Sequence, residues 1–188
     1  YTVETIIKKG GKTIDKYLTP FGIRSVKFDK DKGFFLNNKH LKLKGMCLHQ
    51  DAGCLGTAVP DRAYERRLLI LKEFGTNAIR CSHNPPSPEF LYFCDSIGFL
   101  VIDEAFDKWK SGYYEEFFDS SWQQDISDMV IRDRNHPSVI LWSIGNELAE
   151  AKLKDDTGIE RAGMLQDFVH QLDPSRLVML ALQPGFED

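Results

Sequence analysis

Ser138-Val139-Ile140-Leu141-Trp142-Ser143-Ile144-Gly145-Asn146-Glu147 is the stretch whose reading decides the fold. It begins as a nearly unbroken apolar run and ends on a polar pair. A strand with one wet face alternates polar and apolar residues; a continuous run points to a strand buried on both faces, as in parallel sheets covered by helices. The same pattern recurs along the chain. Leu41–Leu48 leads into His49-Gln50-Asp51, Asn77-Ala78-Ile79-Arg80-Cys81 is followed by His83-Asn84, and Phe99-Leu100-Val101-Ile102 runs into Asp103-Glu104. A last run, Leu177-Val178-Met179-Leu180, lies near the C-terminus.

Helical patterns separate these runs. One starts at about Asp61, with Tyr64, Leu68 and Leu71 on one face and Gly75 as its stop. Ser87-Pro88 supplies a cap and a first-turn proline, and Gly98 ends that helix. A third is expected from Ser120 or Ser121, with Trp122, Ile126 and Met129 facing inward. Thr157 and Glu160 have capping-box spacing ahead of Leu165, Phe168, Val169 and Leu172. The order β-α-β-α-β-α-β-α-β fits an open doubly wound sheet or a (β/α)8 barrel. No glycine-rich phosphate-binding turn follows the first strand, and polar residues stand just past nearly every strand end. A barrel gathers strand ends into one ring, so the expected fold is α/β: a partial TIM barrel of about five strands.

The front of the chain reads differently. Tyr1–Ile7 and Ile23–Phe28 are rich in β-branched and aromatic residues, broken by Gly10-Gly11 and Pro20. Asp29-Lys30-Asp31-Lys32-Gly33 resembles the start of a calcium loop but lacks the flanking helices and closing glutamate, so a tight turn is expected. Asn37-Asn38 turns the chain again. Residues 1–45 therefore read as β-structure, and from about residue 41 the rhythm changes to that of the strand–helix pattern.

Composition narrows the partners. Of 188 residues, 42% are hydrophobic and 28% charged, which is enough apolar material for a core. A net charge of -4 gives no support for nucleic acid or an anionic membrane as a partner. No apolar run approaches the roughly 18 residues that cross a bilayer, and Tyr1–Thr5 does not open a signal peptide. Cys47, Cys81 and Cys94 lie in apolar runs and are expected as buried free thiols; with Cys54 they form no CxxC pattern.

Glu147 is the leading candidate for chemistry. A carboxyl at a strand's C-terminal end suits glycosidic cleavage, in which one acid protonates the leaving oxygen and a second carboxylate about 5 Å away attacks the anomeric carbon. Asn146 would bond the sugar 2-hydroxyl. Alternatively, Glu147 caps the following segment or pairs with a nearby base. Asp103-Glu104 either serves the site or forms an ion pair with Arg80, one strand earlier. His49, Asp51, His83 and Asn84 form a sugar-binding rim or staple the loops. A metal at His49, Asp51 and His83 lacks ligand spacing, so no metal or cofactor is expected. Trp109, Tyr113 and Tyr114 would stack on a sugar face or pack their loop. His136 reads as structural, at the barrel end opposite the strand C-termini.

With these residues in place, the chain resembles glycoside hydrolase family 2. The resemblance is carried by Gly33–Asn37, Leu43–Gly45, Asn77–Pro85, Val101–Ala105 and above all Arg132–Glu147. It implies that residues 1–39 are the C-terminal part of an immunoglobulin-like β-sandwich and 40–188 the N-terminal part of the barrel, with Glu147 as acid/base at the end of strand four. His49, Asp51, Arg80, His83, Asp103 and Asn146 become pocket residues or their supports. The nucleophilic glutamate is implied at strand seven, outside this chain. Asp103–Trp109 is similar to a β-galactosidase-like subgroup, although Lys108 and Lys110 stand where its large magnesium-dependent members carry metal ligands. The expected activity is that of a retaining exo-β-glycosidase acting on a glycoside or oligosaccharide, β-galactosides first, with β-glucuronides, β-mannosides or a non-catalytic sugar-binding relative as alternatives. Expected partners are the rest of its own barrel and sandwich domains and a homo-oligomeric copy. The expected compartment is the periplasm or cytoplasm of a bacterium.

Overall fold

The computed structural model describes residues 1–148 and 157–182. The chain divides into two compact units, Tyr1–Lys42 with Asn135–Pro137, and Leu43–Arg134 with Ser138–Asp188.

The first unit is antiparallel. Strands β1 (Thr2–Lys9) and β2 (Lys12–Pro20) form a hairpin closed by Gly10-Gly11. Both glycines have positive φ, +55° and +78°, as a two-residue hairpin turn matching strand twist requires. Strands β3 (Val26–Asp29), β4 (Gly33–Leu36) and β5 (Lys39–His40) form a meander. The β3–β4 connection is the expected tight turn: Asp29 Oδ1 accepts from the backbone N–H groups of Asp31 and Lys32, each at 3.1 Å. Asn37 and Asn38 make the next turn at φ +50° and +61°, a region asparagine tolerates better than most residues.

The second unit is a parallel α/β sheet. Strands β6 (Gly45–His49), β7 (Ala78–Ser82), β8 (Leu100–Glu104), β9 (Val139–Ser143) and β10 (Leu177–Met179) lie side by side in chain order. Helices α1 (Asp61–Glu73), α2 (Pro88–Ile97), α3 (Glu115–Asp133) and α4 (Thr157–Leu172) connect them. A doubly wound sheet reverses its strand order; this one does not, and right-handed crossovers taken in sequence put every helix on the same face. That is the winding of a barrel, here as a partial one.

Register defines the two faces. Cys47, Arg80, Ile102, Leu141 and Leu177 form one cross-strand row on the inner face. Asp103, Trp142 and Val178 lie in a row on the helix face. A bulge sets Val139 opposite Val101 but Leu141 opposite Ile102, which brings Trp142 beside Asp103 and Ser143 beside Glu104. Ile79, Cys81, Val101 and Trp142 pack with Leu68, Leu91, Ile126, Val130, Leu165 and Val169 from all four helices. Complete burial of Leu68, Leu91 and Ile126 contributes about 2 kcal/mol each relative to exposure.

Helix ends follow local chemistry. Ser87 Oγ accepts from Phe90 N at 3.3 Å, Pro88 opens α2, and Gly98 closes it in the left-handed region at φ +86°. Helix α3 departs from expectation by starting at Glu115 rather than Ser120 or Ser121. Gly112–Tyr114 form a tight helical turn leading into it, and Glu115 and Glu116 complement the positive end of the helix. Ser120 instead bonds back to the Phe117 carbonyl at 3.0 Å from within the helix, which is why its cap-like appearance misleads. The Thr157–Glu160 capping box is not assigned, because the residues before Thr157 fall outside the described range.

Cys81 and Cys94 are buried free thiols, as expected, and burial pushes both thiols well above the usual range. Cys47 is exposed, contrary to expectation. It pairs with Arg80 and so lies on the inner face of the sheet, whereas the described helices pack on the other.

Candidate active site

The site is built where β7, β8 and β9 end. Glu104 is the last residue of β8, and its side chain is fully buried on the inner face. Its Oε2 accepts from Arg80 Nε at 2.8 Å, Arg80 Nη2 at 2.5 Å and Ser143 Oγ at 2.6 Å. Its Oε1 lies 2.6 Å from His83 Nδ1. A buried carboxylate needs such compensation, and here a guanidinium, a hydroxyl and an imidazole supply it. Glu104 therefore makes the ion pair with Arg80 that the sequence offered as one reading.

Arg80 Nη2 also donates to Asn146 Oδ1 at 3.0 Å. The Asn146 amide nitrogen donates to Asp107 Oδ1 at 2.9 Å, and its backbone N–H bonds the Asp107 carbonyl at 2.8 Å. Lys108 completes this end of the network, with Nζ 2.8 Å from Asp107 Oδ1 and 3.0 Å from the Asn146 carbonyl. Burial pushes the Asp107 carboxyl up, but hydrogen bonds from Lys108 and Asn146 outweigh it and hold the group below its ordinary range.

Glu147 follows Asn146 at φ +47°, the left-handed region that non-glycine residues rarely adopt. Such strain persists where the surroundings enforce it and is concentrated at functional positions. The Glu147 side chain is 58% exposed, with Oε2 3.7 Å from Lys108 Nζ. The chain thus buries and pins Asn146 while presenting the next carboxylate outward.

His49 is near this cluster, its ring edge-on to His83 with centroids 5.3 Å apart. Asp51 is outside it: exposed, it ties its loop to Arg67 of α1, with Arg67 Nη2 3.4 Å from Asp51 Oδ1. Asp103 is not brought to the cluster either. It is fully buried on the helix face, and among the described residues neither of its oxygens receives a donor. Burial and the neighbouring Asp133 carboxyl push Asp103 well above the carboxylate range, so it holds a proton there. Strand alternation sends consecutive residues to opposite faces, so Asp103 and Glu104 could not both serve one site.

Trp109 is fully buried, its Nε1 donating to the Ile144 carbonyl at 2.6 Å; it packs the loop and is not available to stack on a ligand. Tyr114 stacks on Phe106 and bonds Asp125, whereas Tyr113 is fully exposed. His83 and Asp107 also line an open cleft of about 490 Å3 that extends past Phe106 to Arg132. Among the described residues, no three His, Cys, Asp or Glu side chains are grouped to hold a metal ion.

The sequence did not point to Ser143 or Asp107 as site residues, and it marked Lys108 only as standing in place of a metal ligand. Ser143 was legible only through register, since it stands beside Glu104. Asp107 and Lys108 follow the acidic pair by a few residues, but their role depends on the β8 loop folding onto the β9 end.

A β-galactosidase of Bacteroides ovatus is 49% identical over 177 residues, covering 90% of this chain and 21% of that protein. A β-glucuronidase of Bacteroides fragilis is 34% identical over 182 residues, covering 94% of this chain and 26% of its own length. The chain thus spans roughly a fifth to a quarter of these relatives. In structure, a glycosyl hydrolase family 2 member from Bacteroides cellulosilyticus superposes with a TM-score of 0.93 at 44% identity, over 99% of this chain and 24% of that one. A β-glucuronidase from Ruminococcus gnavus, in complex with uronic deoxynojirimycin, superposes at 0.86 and 30% identity, over 97% of this chain and 32% of that one. The model of the TIM barrel domain of glycosyl hydrolases family 2 matches residues 26–183. The chain belongs to glycosyl hydrolase family 2 and carries part of its catalytic barrel.

Proposed function

We propose that this chain is part of a retaining exo-β-glycosidase in which Glu147 is the acid/base and Asn146 binds the 2-hydroxyl of the sugar. The observation that carries the reading is the contrast within one dipeptide: Asn146 is buried and held by Arg80 and Asp107, while Glu147 is turned outward at φ +47°. A carboxylic acid that protonates a leaving oxygen must reach the glycosidic bond, and the residue that reads the 2-hydroxyl must be rigid. The second carboxylate is assigned to a later barrel strand, and residues 1–39 to the close of an immunoglobulin-like sandwich. A β-galactoside is the favoured substrate, supported by the 49% identity to a protein named as a β-galactosidase. Relatives named as β-glucuronidases make a β-glucuronide the second reading.

The test uses Glu147→Gln in the enzyme with its complete barrel. Glycosides with poor leaving groups should lose turnover by about 100-fold or more, and nitrophenyl glycosides far less, because a good leaving group needs no proton. Equal loss on both series would remove Glu147 from the acid role. Parallel assays on nitrophenyl galactoside, glucuronide and mannoside assign the sugar.

A further inference from the structure

We propose that Glu104 is the positioning residue of this site, acting through Arg80 to set the orientation of Asn146. The proposal rests on the reading of Asn146 as the 2-hydroxyl ligand. Glu104 is fully buried, so it does not itself meet a sugar. What it holds does.

The amide orientation of Asn146 follows from donor and acceptor chemistry. Arginine has only donors and an ionised aspartate only acceptors, so the Asn146 oxygen must face Arg80 and its nitrogen must face Asp107. One amide N–H and one oxygen lone pair are then left for a hydroxyl. This depends on Arg80 standing where it does. Arg80 Nη2 is shared between Glu104 Oε2 and Asn146 Oδ1, so the carboxylate on β8 aims the guanidinium at the amide after β9. His83 is tied to the other oxygen, with its Nδ1 2.6 Å from Glu104 Oε1. A simple tie between β7 and β8 would need the Arg80 contact alone. Here, Ser143, His83 and the shared Arg80 bond to Asn146 make Glu104 a hub.

The experiment compares a β-glycoside with its 2-deoxy counterpart, using Glu104→Gln and Asn146→Ala singly and together in the enzyme with its complete barrel. Glutamine keeps the volume but replaces one acceptor oxygen with an NH2 group, from which the Arg80 guanidinium cannot accept. Glu104→Gln should lower kcat/KM by about tenfold or more on the 2-hydroxy substrate and much less on the 2-deoxy one. Asn146→Ala should show the same selectivity, and the double variant should be no worse than Asn146→Ala alone. Equal slowing of both substrates by Glu104→Gln, or full additivity with Asn146→Ala, overturns the positioning role. If Asn146→Ala itself fails to discriminate the two substrates, the 2-hydroxyl reading falls and takes the proposal with it. Should Glu104→Gln not fold, Arg80→Lys decides. It keeps a cation for Glu104 but lacks the fork that reaches Asn146, so a loss confined to the 2-hydroxy substrate supports the proposal and a uniform loss overturns it.

Discussion

The two faces of the parallel sheet treat neighbouring carboxyls in opposite ways. Asp103 and Glu104 are consecutive and both fully buried. On the inner face, Glu104 receives a guanidinium fork, a hydroxyl and an imidazole. On the helix face, Asp103 meets apolar packing and the Asp133 carboxyl, whose own oxygens are occupied by Arg132 at 2.7 and 2.6 Å. Burial is common to both residues; the supply of donors is not. A third carboxyl separates the two variables. Asp173 is 5% exposed and meets Trp142 of the helix face, yet it accepts from Trp142 Nε1 at 2.9 Å, from Arg176 and from Ser175. Burial would raise it, but hydrogen bonds from Ser175, Trp142 and Arg176 more than offset this and hold it at about 2. The donor set, rather than the face, decides whether a buried acid is charged.

The comparison breaks most forcefully at Arg80. Arg80→Ala leaves Glu104 buried without its cation and should cost about 3 kcal/mol, read as a lowered midpoint in urea. A cost below about 1 kcal/mol would mean that Ser143 and His83 already satisfy the carboxylate. Asp173→Asn tests the helix face. Because the folded group titrates below its usual 3.8, its contribution is present above that value and is lost as pH falls toward about 2. The wild type should therefore exceed the variant by about 2 kcal/mol at neutral pH, and the gap should close with acidification through that window.

Asp103→Asn should have the smallest effect and the opposite sign. Its folded state binds a proton that the unfolded chain releases above 3.8, so the wild type loses stability as pH rises above that value. The asparagine offers Asp133 a permanent donor instead. It should match the wild type in acid and exceed it by up to about 1 kcal/mol at neutral pH. Denaturation of the two proteins across pH measures the difference; parallel curves would show that Asp103 is ionised in the fold.

Much of this architecture could be read locally. Apolar runs such as Val139–Trp142 announce strands buried on both faces, and Ser87-Pro88 with Gly98 brackets α2 within a residue. These signals concern groups within a few bonds or one helical turn of each other. The start of α3 was missed because two local signals competed, a serine pair and an acidic first turn, and only the chain entering from Gly112–Tyr114 chose between them. Cys47 was misjudged because an apolar run does not say which face a residue takes, and Cys47 shares the inner face with Arg80.

The sequence by itself determined the strand–helix alternation, the turns, and the placement of Asn146-Glu147 after a buried strand. Those follow from periodicity and from the φ preferences of glycine, proline and asparagine. Tertiary structure alone decided which of two adjacent acids belongs to the site. Side-chain alternation makes Asp103 and Glu104 face opposite ways, but which face receives helices and which receives Arg80, His83 and Ser143 depends on register between strands far apart in the chain. The groups that hold Glu104 come from residues 24, 21 and 39 positions away, a separation no local pattern encodes.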